Sequence, residues 1–147
     1  MAAAKPEVRY AIVVARFYSE LADRLVSSAT RVFEAAGADA IDVFDLPGAF
    51  ELPLAAQLAA QTERYAGIAC LGAVIRGETS HYDYVCSEAA RGIQDVMLRT
   101  GVPCGFGLLT VENMDQALAR SGGGTRDQGA HAAEAVLALT RVRADLP

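Results

Sequence analysis

Nine consecutive uncharged residues, Gly67 to Ile75 (GIACLGAVI), constrain the fold of this chain more than any other stretch. A strand with one wet face alternates apolar and polar side chains, whereas a strand covered on both faces reads as a continuous apolar run. The run is far short of the ~20 residues a membrane span needs, and it stops at Arg76-Gly77. It is therefore read as a central strand of a parallel sheet. Such a strand needs helices on both sides, and the flanking sequence supplies them.

Strand and helix patterns alternate along the rest of the chain. Val8 to Ala15 (VRYAIVVA) is a β-branched apolar run of strand length. From Ser19 to Ala36 apolar residues recur three to four apart (Leu21, Leu25, Ala29, Val32, Phe33, Ala36), an amphipathic helix that Gly37 closes. Asp39 to Leu46 reads as a second strand with Ile41, Val43 and Phe44 among carboxylates. Pro47-Gly48 turns the chain, and Pro53 suits the first turn of a helix running to about Tyr65. After the central strand, Val85, Ala89, Ile93, Val96 and Met97 mark one face of a helix ended by Gly101. Val102 to Val111 gives a fourth strand, and Asn113 caps a short helix with Gln116 at its third position. The loose segment Ser121-Gly-Gly-Gly124 precedes a last helix expected from near Thr125 to about Arg143. This order predicts one α/β domain over residues 1–147: a four-stranded parallel sheet with helices on both faces, a three-layer sandwich. Residues 1–7 are expected to form a flexible tail.

Several function classes are disfavoured. The net charge is −5 with the basic residues scattered, whereas a nucleic-acid partner calls for a basic face. No apolar run is long enough for a membrane, and Met1 to Pro6 lacks the pattern of a secretory signal. Cys70, Cys86 and Cys104 are odd in number, widely spaced and without a C-x-x-C, which suits free thiols in a reducing cytosol. With two histidines and no cysteine pair, no metal site is expected.

Ligands in parallel α/β sheets sit outside the carboxyl ends of the strands. There the central run empties through Arg76-Gly77 into Glu78, Thr79 and Ser80, and then into a helix carrying His81. A helix N-terminus presents unpaired amides and the positive end of the macrodipole, a ready place for phosphate. Thr79 and Ser80 offer hydroxyl caps, and Ser80 with Asp83 has the spacing of a capping box. His81 is either an exposed helix residue or a group that relays protons near neutrality beside that anion site.

Other residues near the predicted strand ends admit two readings each. Phe17 and Phe50 either pack in the core or stack on a planar ring, and Phe106 falls at or near the end of the fourth strand. Glu51, an acid in an apolar context, either favours the start of the next helix or holds a ligand hydroxyl. Arg120 is a solvated charge or an anion clamp. His131 lies on the polar face of the last helix, and Gly122 to Gly124 read as a connector, lacking a Walker-type lysine.

The segments PGAFELP (Pro47 to Pro53), GAVIRGETSHYDYV (Gly72 to Val85) and PCGFGLLTVEN (Pro103 to Asn113), with the closing helix, resemble the lumazine synthase family from about Val8 to Leu139. The resemblance implies a flavodoxin-like sandwich. It implies condensation of 5-amino-6-(D-ribitylamino)uracil with 3,4-dihydroxy-2-butanone 4-phosphate to 6,7-dimethyl-8-ribityllumazine, phosphate and water, without cofactor or metal. By the same resemblance Phe17 stacks on the pyrimidine, and Ala49, Phe50 and Glu51 line the ribityl and ring site. Ala73, Val74 and Ile75 meet the uracil edge through backbone groups. Glu78 and Thr79 occupy the phosphate turn, and His81 transfers protons. Phe106 and Arg120 come from a neighbouring subunit, Arg120 on the substrate phosphate, in a pentamer or a 60-subunit shell.

Two positions depart from the family pattern. Gln128 stands in Arg126-Asp127-Gln128-Gly129 where members often carry lysine; it brings no charge, and Thr125 to Gln128 also has capping-box spacing. Tyr18 replaces a frequent asparagine. Gln128 leaves open a shell-forming or flavin-binding paralogue with weak catalysis, and the fold alone would also suit a nucleotide-binding module.

Overall fold

The computed structural model describes residues 5–123 and 126–147. The alternation read from the sequence is the one the chain forms. In order come β1 (Arg9–Ala15), α1 (Ser19–Ala35), β2 (Ala40–Leu46), a 3-10 turn (Ala49–Glu51), α2 (Leu52–Gln61), β3 (Gly67–Ile75), α3 (His81–Thr100), β4 (Cys104–Val111), α4 (Met114–Ala119) and α5 (Gln128–Asp145). The strands are all parallel and ordered β2-β1-β3-β4. The result is an α/β three-layer sandwich. Of the expected tail, residues 1–4 lie outside the described residues, as do Gly124 and Thr125.

Side chains alternate across a strand, so each strand feeds two cores. Tyr10, Ile12 and Val14 of β1 join Leu21, Leu25 and Phe33 of α1 and Ala132 and Val136 of α5. Ala11, Val13, Ile68 and Cys70 face Leu52 and Ala56 of α2 and Ala89 and Ile93 of α3. This two-sided cover is why the first seven residues of β3 are all buried. Tyr10 and Phe33 stack with ring centroids 4.3 Å apart and planes 8° off parallel. On the α1 side, α5 presses so close that a Cβ at Gly105 would overlap the Ala132 carbonyl, and one at Gly129 the Leu25 carbonyl. Backbone-to-backbone contact is what these two glycines permit.

The boundaries differ from expectation at three places, each for a local reason. Helix α2 stops at Gln61 rather than near Tyr65. The Thr62 hydroxyl turns back to the Ala59 carbonyl (2.7 Å) and also accepts from the Arg64 amide (3.2 Å), competing with the helical ladder. With no glycine at hand, Glu63 takes the left-handed conformation (φ 59°) that reverses the chain. Strand β4 begins at Cys104, since Pro103 has no amide to donate, although its carbonyl accepts from Ile68 (2.9 Å). Helix α5 begins at Gln128 rather than near Thr125, which lies outside the described residues, and is capped by the Asp127 carboxylate on the Ala130 amide (3.1 Å). The segment read as loose leaves from an anchored residue. Ser121 is buried, accepts from the Arg24 guanidinium (3.0 Å) and forms an antiparallel bridge with Asp127.

Candidate active site

The registers of β1 and β3 are offset, and the offset opens a cleft. Strand β1 pairs with β3 only from Gly67 to Leu71, while β4 pairs with β3 all the way to Ile75. The last residues of β3 therefore have one backbone edge with no strand beside it. Ala73 is buried there, and Val74 and Ile75 are half-buried. A parallel strand leaves amides and carbonyls along such an edge, alternating donors and acceptors for a planar heterocycle.

Around this edge lies a cleft of about 620 Å³. One wall is Phe17, just past the end of β1, 76% exposed and edge-on to Tyr18 at 4.9 Å. A second is the turn after β2, with Ala49, Phe50 and Glu51. Ala49 is buried, Phe50 is 61% exposed, and the Glu51 carboxylate accepts from the Gly48 amide (3.0 Å). So Glu51 serves the turn and keeps its second oxygen for another partner. The third wall is the β3–α3 junction with Thr79 and His81.

At that junction the cap differs from the one expected from the sequence. Ser80 occupies the cap position, but with helical dihedrals (φ −73°, ψ −1°), and its hydroxyl makes no capping bond. The Thr79 hydroxyl instead accepts from the His81 amide (3.3 Å). The Ser80–Asp83 capping box does not form, because the Asp83 carboxylate pairs with Arg76 (3.2 Å). The amides of residues 77–80 and of Tyr82 have no protein acceptor among the described residues. Five free N–H groups at the head of a 20-residue helix make an anion-binding end. Burial holds the Tyr82 phenol above its ordinary value, so it stays neutral.

The structure thus brings Phe17, Ala49, Phe50, Glu51, Ala73, Val74, Ile75, Thr79 and His81 to one cleft. Glu78 is exposed in the same turn without lining the cleft. Phe106, Arg120 and Gln128 are elsewhere. Phe106 is the third residue of β4, opposite Cys70, so it is not at a carboxyl strand end as expected. Its main chain carries the link to the others. Gln128 donates its side-chain amide to the Phe106 carbonyl (3.0 Å) and its backbone amide to the Arg120 carbonyl (2.9 Å). The Arg120 guanidinium folds back on the Gln116 carbonyl (3.0 Å) at the end of α4. These three form a second cluster, on the β4 edge. His131 is exposed on α5.

Tyr18, Gly48, Gly77, Tyr82, Tyr84 and Val85 line the cleft without having been singled out as site residues. Helical spacing could have found two of them: Tyr84 and Val85 follow His81 by three and four residues and so share its side of α3. Among the described residues no group of three His, Cys, Asp or Glu side chains is placed to hold a metal. No helix among them is long and apolar enough to cross a membrane.

Comparison with known proteins finds relatives along nearly the whole chain. The family model described as 6,7-dimethyl-8-ribityllumazine synthase matches residues 7–144. Proteins named 6,7-dimethyl-8-ribityllumazine synthase from Nitratidesulfovibrio vulgaris (strain Hildenborough) and Desulfovibrio desulfuricans are 44% and 45% identical to the chain. Each match runs over 141 residues, 95% of this chain and 90% of the relative.

Proposed function

The chain belongs to the 6,7-dimethyl-8-ribityllumazine synthase family, and on that premise we propose how its cleft carries out the family's reaction. It is an enzyme of riboflavin biosynthesis, with a transferase-type reaction joining a ribitylaminouracil to a butanone phosphate. The pyrimidine lies on the Phe17 ring, its edge on the free backbone groups of Ala73, Val74 and Ile75. Its ribityl chain runs along Ala49 and Phe50, with a hydroxyl on the free oxygen of Glu51. The phosphate of the second substrate sits on the amides at the head of α3, beside Glu78 and Thr79.

The chemistry asks little of the side chains. The 5-amino group attacks the ketone and water leaves as the imine forms; phosphate is eliminated to an enol that becomes a carbonyl, and the 6-ribitylamino nitrogen closes on that carbonyl with loss of a second water. Holding the two substrates in one cleft supplies ~7–11 kcal/mol toward the condensation. His81 takes and returns the protons, a contribution of roughly 10²–10⁴-fold in such catalysis. The observation that carries this reading is the juxtaposition of an unpaired strand edge, an exposed aromatic ring and an amide-rich helix head in one cleft.

Phe106, Arg120 and Gln128 lie outside that cleft, and we place them in the site of a neighbouring subunit. There Phe106 covers the ring, Arg120 binds the phosphate, and Gln128 fixes the turn between them. Activity then requires assembly, to a pentamer or to a 60-subunit shell, and the enzyme works in the cytoplasm. Mixing both substrates and following lumazine absorbance tests the reaction, and light scattering tests the assembly. Tight lumazine or riboflavin binding without turnover would favour a flavin-binding paralogue, and an active monomer would remove the shared site.

A further inference from the structure

Two arginines occupy equivalent places in the fold. Arg16 and Arg76 each follow the last residue of a strand, β1 and β3. Each donates its backbone amide to the neighbouring strand's end, Arg16 to Leu46 and Arg76 to Val111, both at 2.9 Å. Each then forks between two carboxylates. Arg16 bonds Asp45 at the end of β2 and Asp23 in α1, both at 2.6 Å. Arg76 bonds Glu112 just past β4 with Nε (2.8 and 3.1 Å) and Asp83 in the first turn of α3 with Nη1 (3.2 Å). Its guanidinium also lies 4.2 Å over the Tyr82 ring, in the same helical turn.

In each case the next residues in sequence carry the site. Phe17 follows Arg16 directly, and the turn ending in His81 follows Arg76. The carboxylates tie the strand behind the loop and the helix ahead of it to the adjacent strand. A planar fork suits this task, since a lysine could satisfy one carboxylate but not two in fixed geometry. One guanidinium between two carboxylates leaves the Arg76 cluster with a net negative charge, so it is poorly suited to hold phosphate itself. Isolated surface ion pairs contribute little stability. What two coupled pairs on one guanidinium can do is set direction, and the helix turn they fix is the one that presents His81.

We propose that Arg76 is a positioning residue that aims His81 by pinning the first turn of α3 to the end of β4, and that Arg16 does the same for Phe17. The proposal rests on the proton-transfer role given to His81 above, and a double-variant comparison separates the two ideas. A misplacement of about 1 Å costs up to ~10²-fold in rate, so Arg76→Met should lower kcat roughly 10- to 100-fold with KM for the pyrimidine changed less than about threefold. The effect should vanish in the His81→Ala background, because a residue acting through His81 has nothing left to aim. Arg16→Met should instead raise KM for the pyrimidine, and its effect should multiply with that of His81→Ala.

A His81→Ala/Arg76→Met enzyme slower than His81→Ala by the full factor of the single Arg76 change would overturn the proposal while leaving the site assignment intact. A His81→Ala enzyme as fast as wild type would overturn both. Equal loss of additivity for Arg16 and Arg76 would mean general loosening and also overturn it. Should Arg76→Met lose its fold by circular dichroism, Glu112→Gln removes the two-point arm and carries the same comparison.

Discussion

Replacing Phe17 with alanine removes a ring that is 76% exposed and touches Tyr18 only edge-on, with centroids 4.9 Å apart. So little of the ring is engaged within the chain that its loss should cost folding no more than an ordinary surface change, within about ±0.5 kcal/mol. For the same reason nearly all of its stacking capacity is available to a ligand. Stacking of a base on an aromatic side chain is worth ~1–3 kcal/mol by alanine substitution, or roughly 5- to 150-fold in affinity. The pyrimidine substrate, titrated alone against wild-type and Phe17→Ala protein by fluorescence, should therefore bind 5- to 150-fold more weakly, on the order set by that stacking energy. Direct binding is the better assay, because KM equals Kd only when chemistry is slow relative to release. Phe17→Leu should fall between the two, keeping apolar contact without a planar face. Unchanged affinity, or a loss of stability above about 1 kcal/mol in urea unfolding, would refute the assignment of this ring to ligand rather than core.

Other changes read other parts of the structure. With Arg120 on the substrate phosphate as proposed, Arg120→Ala would remove a charge-assisted bond worth ~1.5–3 kcal/mol, and KM for the phosphorylated substrate should rise about 10- to 150-fold and exceed any effect on the pyrimidine; equal effects on both would argue against a phosphate contact. Gly105→Ala drives a Cβ into the Ala132 carbonyl, where only backbone could yield, and should cost at least the ~1–3 kcal/mol of an overpacked core, visible as a lower urea midpoint; an unchanged midpoint would show that α5 can shift freely. The Asp42 carboxyl is held below its ordinary value of about 3.8, first by the Tyr65 hydroxyl (2.7 Å) and then by Arg9 (2.9 Å). A depressed carboxyl stabilises the fold above its unfolded value and loses that contribution as pH falls through the folded one. The thermal advantage of wild type over Asp42→Asn should thus hold from neutral pH to near 3.8 and shrink below it; an advantage that persists in stronger acid would contradict the pairing.

Much of the fold was legible because its signals are local. The unbroken apolar run of β3, the spacing of Leu21, Leu25, Ala29 and Phe33, and Gly37 and Gly101 at helix ends depend on neighbours a few residues away. The junction from Arg76 to His81 was legible on the same terms, since a strand, a turn and a helix head follow in sequence. Thr62 and Glu63 show where local reading gave way: a hydroxyl and one left-handed residue ended α2 early, with no Gly or Pro to announce it.

Long-range partners decided the rest. Asp83 had the spacing of a cap but paired with Arg76, because the fold carried a guanidinium already held by Glu112 to within reach. Gln128 met the Phe106 carbonyl from 22 residues away, and Asp42 met Tyr65 from 23 residues away. Above all, β1 stops pairing with β3 at Leu71 and so freed the edge of Ala73 to Ile75, and how far one strand runs past its neighbour is settled by the segments that join them as well as by the apolar pattern. By itself, the sequence determined which segments are strands and helices and which turn bears the histidine. Only the tertiary structure decided which backbone groups are left unpaired, since that depends on where three separate chain segments stop beside one another.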